Sequence, residues 1–354
     1  MLYTPFYDPE KTYEENFKKG PFGAFADGKI YKDKGEPKCE FLGQKIYLPF
    51  GIPSGPLING NFVKAALDKG FDLVEYKDTR TRAFSCHPLP NIIPLQVKGN
   101  LTLKKAEKGV KIAKEYIEPL SITNSFGIPS LDPDFWQKDL HNAALYSKKG
   151  QVVIGGLQGT LPESGGFESY LKDFTLLARL MKETKVKIIE LNLSCPNEGI
   201  ANLLCFDIER SKTVVEKVKN ELGNIPLIIK IGYFAESEHL SNFVKAVGPM
   251  VQAIAAINTI PTKIFDEKGE PGLTAGRLTS GTCGAPIKWA GIETTKNLKK
   301  FREKFSLSYK IIGVGGVLNA KDYKEYIREG ADAVMSATGA MWNPYLAQEI
   351  KSSL

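Results

Sequence analysis

Apolar residues recur along this chain in short blocks, each followed by polar residues or glycine and then by a stretch whose apolar positions return every three or four residues. The blocks are IYLPFGIP ahead of Ser54, DLVEY ahead of Lys77, QVVIGGL from Gln151, KIIELNL from Lys187, IPLIIKI from Ile225, VQAIAAI from Val251, YKIIGVG from Tyr309 and DAVMSAT from Asp332. Runs of this length, apolar at consecutive positions, read as strands buried on both faces of a parallel sheet. Between them, Asn59 to Gly70, Phe167 to Lys185, Asp207 to Gly223 and Asn319 to Gly330 read as amphipathic helices. Several open on a capping residue, as at Asn319, and close at glycine, as at Gly70, Gly223 and Gly330. Eight βα units of this kind predict an α/β fold, a (β/α)8 TIM barrel, with functional residues at the carboxyl ends of its strands.

Two connections are too long for plain βα loops. Asp78 to Gly150 is rich in turns (HPLPN, KGN, FGIPS, LDPDF), which predicts an inserted hairpin or lid, and Ile260 to Ala290 is dense in glycine and threonine. Both are expected to cover the carboxyl face of the barrel. Residues 1–40 carry Tyr, Phe, Gly, Pro and Lys without periodicity and are expected to form an arm against a single domain spanning 41–354.

Composition narrows the chemistry. The 354 residues are 42% hydrophobic and 25% charged, as in an ordinary globular protein. The net charge of +7 is scattered, with no basic stripe and interleaved aromatics, so no nucleic-acid partner is expected. Five cysteines without a CxxC pair suggest neither a disulfide framework nor a zinc site, and the three histidines show no HxH or HExxH spacing. No stretch reads as a signal peptide or a membrane span, which predicts a cytoplasmic protein.

The strand exits are almost all polar or glycine: Ser54 and Gly55, Lys77, Gly156 and Gln158, Asn192 with Ser194, Lys230, Asn258 and Thr259, Gly315 and Gly316, Thr338 and Gly339. Lysines ending buried strands need an anion or an electron-rich ligand, or else a carboxylate across the barrel. GVGG (Gly313 to Gly316) and SATG (Ser336 to Gly339), each followed by a helix after strands seven and eight, form a candidate phosphate site. Asn124, Asn192 and Asn258, with Asn197 and Thr259, both donate and accept hydrogen bonds, which suits an imide or a pyrimidine. Cys195 follows Ser194 just past a strand exit, with lysines on neighbouring strands that favour a thiolate.

These residues resemble a known family. ELNLSCPN, with FGIPSG at the first strand, YKDT at the second, TNSFGIPS in the insertion, INT at the sixth, IIGVGG at the seventh and MSATG at the eighth, is similar to the dihydroorotate dehydrogenases from about Phe41 onward. The resemblance implies an FMN-binding barrel that oxidises dihydroorotate to orotate in pyrimidine biosynthesis. In this role Cys195 is the base at C5, while the C6 hydride passes to N5 of FMN. Cysteine at that position marks the soluble class 1 enzymes, which are homodimers. Lys77, Asn124, Asn192, Asn197, Asn258 and Thr259 fall at substrate positions. Ser54, Gly55, Lys77, Asn192, Lys230, Gly284, Gly315, Gly316 and Thr338 fall at flavin and phosphate positions. The implied oxidant is fumarate or an iron–sulfur electron-transfer subunit. The first 40 residues lack the helical pair of a quinone-docking extension, and no membrane partner is expected.

The chain departs from the family pattern at HPLPN (His87 to Asn91), at FGIPS (Phe126 to Ser130), where Phe126 is expected to narrow the substrate pocket, at Asp78 after the lysine, at Cys283 and at Ala337. Besides a non-catalytic flavoprotein or scaffold, two other enzymatic readings follow. One is an FMN enzyme acting on dihydrouracil or dihydrothymine; the other is a phosphate-binding barrel aldolase using Lys230 as a Schiff base.

Overall fold

The computed structural model describes residues 2–161, 166–194, 203–274 and 276–354. In chain order its strands are β1 (Cys39–Phe41), β2 (Gln44–Ile46), β3 (Phe50–Ile52), β4 (Leu73–Thr79), β5 (Val110–Lys111), β6 (Ser121–Asn124), β7 (Val152–Leu157), β8 (Ile188–Asn192), β9 (Leu227–Ile231), β10 (Ala253–Ala256), β11 (Ile260–Phe265), β12 (Thr279–Gly284), β13 (Lys310–Val314) and β14 (Ala333–Met335). Eight of them, in the order β10-β13-β14-β3-β4-β7-β8-β9, close into a barrel with every neighbouring pair parallel. These eight lie on the eight apolar runs of the sequence, so the (β/α)8 barrel is the fold observed.

The consecutive apolar residues serve two cores. Leu73, Ile154, Ile188, Ile228, Ile312 and Met335 belong to one buried cluster inside the barrel, closed at one end by Phe41 and Ile46 of the β1-β2 hairpin. Their chain neighbours Val74, Val153, Ile189, Ile229, Ile311 and Val334 belong to the cluster shared with the surrounding helices. Side chains of a strand alternate between faces, so a run apolar on both is what a strand between lumen and helices requires. Toward the carboxyl ends the same inward positions become Glu75, Lys77, Glu190, Asn192 and Lys230, all buried.

The helices begin and end on local chemistry. Asn59 accepts hydrogen bonds from the Asn61 and Phe62 N–H groups, and Asn319 accepts from Asp322 N–H, each opening a helix. Gly330 closes the helix Ala320–Glu329 in the left-handed conformation, at φ 112°.

The two long insertions do not form separate covers. They contribute β5 with β6 and β11 with β12 to one four-stranded sheet in the order β5-β11-β12-β6. Asn124 stands opposite Gly281 and Ser121 opposite Gly284 in the antiparallel β6-β12 pair. The N-terminal segment contributes the helix Tyr13–Lys19, opened by a Thr12/Glu15 capping box. It also buries Phe6 edge-on against Phe25 at 4.6 Å and Phe62 at 5.9 Å. No helix among the described residues is long and apolar enough to cross a membrane.

Candidate active site

A cavity of about 550 Å3 lies between the carboxyl ends of the barrel strands and the inserted sheet. That volume is in the range of small-molecule and cofactor sites. Its wall includes Ser54, Gly55, Lys77, Asn124, Asn192, Lys230, Asn258, Thr259 and Thr338, nine of the residues singled out in the sequence. Cys195 and Asn197 lie outside the described residues. Gly284, Gly315 and Gly316 are not on the wall. They cluster behind it, where a Cβ on Gly316 would stand 2.6 Å from Lys288 Cβ and 2.9 Å from the Gly284 carbonyl. With φ at 117° and 69°, Gly315 and Gly316 make a turn that other residues adopt with strain. The GVGG and SATG segments meet there, since Ser336 Oγ donates to the Val317 carbonyl at 2.6 Å.

The polar wall is ordered by internal bonds. Asn192 Nδ2 donates to Asp78 Oδ2 at 2.8 Å, and Asn192 Oδ1 accepts from Ser194 N–H at 3.0 Å and Ser194 Oγ at 3.1 Å. Asn258 Nδ2 in turn donates to Ser194 Oγ at 2.9 Å. Asp78, a departure from the family pattern, therefore joins Ser194 in fixing which way the Asn192 amide points. Ser54 is held from both ends, its N–H donating to Glu75 Oε2 at 2.7 Å and its Oγ accepting from Asp78 N–H at 2.9 Å. A Cβ on Gly156 would come within 2.6 Å of Asp78 Oδ1, so glycine there makes room for the carboxylate.

Lys230 meets a carboxylate across the strand pair, as one of the two sequence expectations for these lysines allows. Its Nζ lies 3.3 Å from Glu190 Oε1 on β8, with both side chains buried. Burial disfavours the ammonium, but Glu190, Glu75 and Asp78 outweigh it and hold the Lys230 pKa above its ordinary value. Burial raises the pKa of Glu75, helped by the charge of Glu190, and burial raises that of Glu190 against the pull of Lys230. Glu75 and Glu190 were passed over in the sequence. The signal available was a lone acid inside each of the apolar runs DLVEY and KIIELNL.

Three further residues reach the cavity without having been expected. Tyr7 of the N-terminal segment lines it and meets Phe126 edge-on at 5.4 Å. His87 lines it with a pKa lowered by burial and by Arg277. Arg277, from the second insertion, donates to the Pro88 carbonyl at 2.6 Å and to Ser125 Oγ at 2.7 Å in the first. Nothing in the local sequence marks Tyr7 or Arg277, because their neighbours in space are distant in the chain, whereas His87 opens HPLPN, one of the departures from the family pattern. Phe126, Cys283 and Ala337 also line the cavity. Burial pushes the Cys283 thiol up to about 12, which makes it inert at neutral pH. No cluster of metal-binding side chains occurs among the described residues.

The wall fits a flat heteroaromatic group with carbonyl and N–H edges. It carries ammonium and amide donors, and the buried Asp78 Oδ1 has no partner among the described residues. It also contains Gly55 at φ 132°, with open space where a Cβ would project.

The family model described as dihydroorotate dehydrogenase matches residues 38–354. A dihydroorotate dehydrogenase of Dictyostelium discoideum is 36% identical, covering 98% of this chain and 96% of its own length. The catalytic subunit of dihydroorotate dehydrogenase B (NAD(+)) from Thermoplasma volcanium is 28% identical, covering 84% of each chain. The corresponding subunit from Desulforamulus reducens is 28% identical over 66% of this chain and 71% of its own.

Proposed function

The chain belongs to the dihydroorotate dehydrogenase family, and we propose that its cavity binds FMN and dihydroorotate together and yields orotate. The observation that carries this reading is the ring of Lys77, Asn192, Lys230 and Asn258 at the carboxyl ends of four barrel strands, covered by the sheet that presents Asn124. FMN, when bound, supplies the acceptor for the hydride leaving C6 of dihydroorotate.

The chain's own residues do the rest. Lys77, Asn124, Asn192, Asn197, Asn258 and Thr259 hold the pyrimidine ring and its carboxylate, the amides pairing with its carbonyl and N–H edges. Ser54, Gly55, Lys77, Asn192, Lys230 and Thr338 hold the flavin, with Gly284, Gly315 and Gly316 shaping the turn toward its phosphate. The Lys230 ammonium places positive charge where reduction builds negative charge. Cys195 takes the C5 proton; it follows Ser194, whose amide and hydroxyl are anchored to Asn192 and Asn258. The inserted sheet, tied across by Arg277, excludes water from that proton transfer. A Lys230 held as an ammonium is not the free amine a Schiff base requires, which speaks against the aldolase reading.

The electrons then leave to fumarate or to an iron–sulfur partner subunit. The relative matched end to end, named without a subunit, supports the first; the relatives named as catalytic subunits support the second. Turnover with fumarate by the purified chain alone distinguishes them. The same proposal includes assembly as a homodimer in the cytoplasm.

The test is anaerobic flavin reduction. Dihydroorotate bleaches the flavin band, whereas dihydrouracil and dihydrothymine do not. Cys195→Ala keeps FMN and orotate binding but slows bleaching by about 100-fold, the scale of a lost general base. Full-speed bleaching in that variant would refute the role of Cys195.

A further inference from the structure

Two carboxyl groups stand inside the barrel beneath the cavity with no task in the reaction as described. Glu75 on β4 and Glu190 on β8 are fully buried, at 0% and 1% exposure. The strand between them, β7, sets Gly156 opposite Glu190, and the side chain it lacks makes room for Asp78 Oδ1 beside the pair. Of the four carboxyl oxygens, two have donors: Glu75 Oε2 accepts from Ser54 N–H at 2.7 Å, and Glu190 Oε1 lies 3.3 Å from Lys230 Nζ. Glu75 Oε1 and Glu190 Oε2 are buried with no hydrogen-bond partner among the described residues, and each glutamate acts on the protonation of the other.

We propose that Glu75 and Glu190 hold one proton between these two oxygens, and that the pair, carrying a single negative charge, is the positioning partner that keeps the Lys230 ammonium fixed at the cavity wall. Among the described residues, the donors and charges of the trio fit one proton best. With no proton, two acceptors face each other and two buried negative charges oppose one ammonium. With two protons, the buried ammonium loses its counter-charge. With one, carried by Glu75 Oε1 and accepted by Glu190 Oε2, all four oxygens are satisfied and the trio is neutral. Among the described residues Asp78 on β4 also faces the trio, and Lys77 stands inward on the same strand; after β3 comes the uncharged Ser54 N–H, and from β7 the glycine backbone. Burial raises both glutamates in the same direction, and such a proton belongs to the pair rather than to either residue.

The inference concerns the flavin side of the proposed site, and its test needs neither flavin chemistry nor substrate. The holoprotein is made with side-chain 13C-glutamate, so that glutamic acid is told apart from flavin carbonyls, and its infrared spectrum is taken at about pH 8, where exposed glutamates are ionised. The wild type is expected to show one glutamic-acid C=O band. Glu75→Gln, whose amide still accepts from Ser54 and donates to Glu190, removes it, and Glu190→Gln removes it too, because Glu75 then ionises to pair with Lys230. Lys230→Met, which deletes the cation, is expected to raise the band about twofold as both acids become neutral. Absence of the band in the wild type, its survival in either glutamine variant, or an unchanged band in Lys230→Met would each overturn the proposal. Loss of flavin reduction with the band intact would instead count against the proposed function.

Discussion

The bond between Asp78 and Asn192 is open to a quantitative test, because each partner can be removed separately. Asn192 Nδ2 donates to Asp78 Oδ2 at 2.8 Å, with both residues about 5% exposed. Asp78 Oδ1 has no partner among the described residues, so Asn192→Ala leaves a buried carboxylate with neither oxygen bonded by a described side chain. A hydrogen bond to a charged group contributes about 1.5–3 kcal/mol. Asn192→Ala should therefore cost at least about 2 kcal/mol, more so because Ser194 loses the acceptor for its N–H and Oγ. Asp78→Ala should cost less, since Ser194 still holds the Asn192 amide and the Asp78 N–H bond to Ser54 survives. The informative quantity is the coupling. Urea unfolding of wild type, both single variants and the double variant should show the double variant about 2 kcal/mol more stable than the two losses summed. Additivity within about 0.5 kcal/mol would mean that the two side chains do not depend on each other, and the account of Asp78 as a group that helps orient Asn192 would fail.

Other substitutions probe the cover, the N-terminal segment and the lumen. Arg277→Ala removes the guanidinium that spans the two insertions, and orotate should dissociate about tenfold faster, the equivalent of about 1.4 kcal/mol; an unchanged rate would show that the cover closes without it. Tyr7 Oη is buried without a partner among the described residues, so Tyr7→Phe should leave urea stability unchanged or raise it by about 1 kcal/mol, and a loss of that size would reveal a partner for the hydroxyl. Glu75 has a raised pKa in the folded protein, so its contribution to stability is full below the ordinary value of 4.5 and is lost as pH rises through the folded value. Glu75→Gln has no proton to lose, so its stability should fall less than that of the wild type as pH rises above about 4.5; parallel curves would refute the shift.

The residues of the apolar runs fixed much of this architecture by local means. Ile188 and Ile189, or Ile311 and Ile312, are apolar on both sides of the strand, because one faces the lumen and the next faces the helices. That pattern is visible without knowing any neighbour, as are the cap at Asn319 and the stop at Gly330. Polar residues that end such runs, from Ser54 to Thr338, had to converge once the barrel closed. The cavity was thus legible as a set of strand exits, and ELNLSCPN pointed to the family.

The tertiary structure alone decided how residues far apart in the chain complete that set. Asn124 meets Gly281 because two insertions on different strands pair edge to edge, and Arg277 locks them. Tyr7 reaches the wall by packing on the barrel from a segment with no periodicity to read. Glu75 and Glu190 look like isolated flaws in two apolar runs until closure sets them beside each other and beside Lys230. Burial along a strand has the period of the strand and leaves its imprint on the local sequence. A shared proton or a cross-loop hydrogen bond has no period, because its partners become neighbours only when the fold removes water from between them.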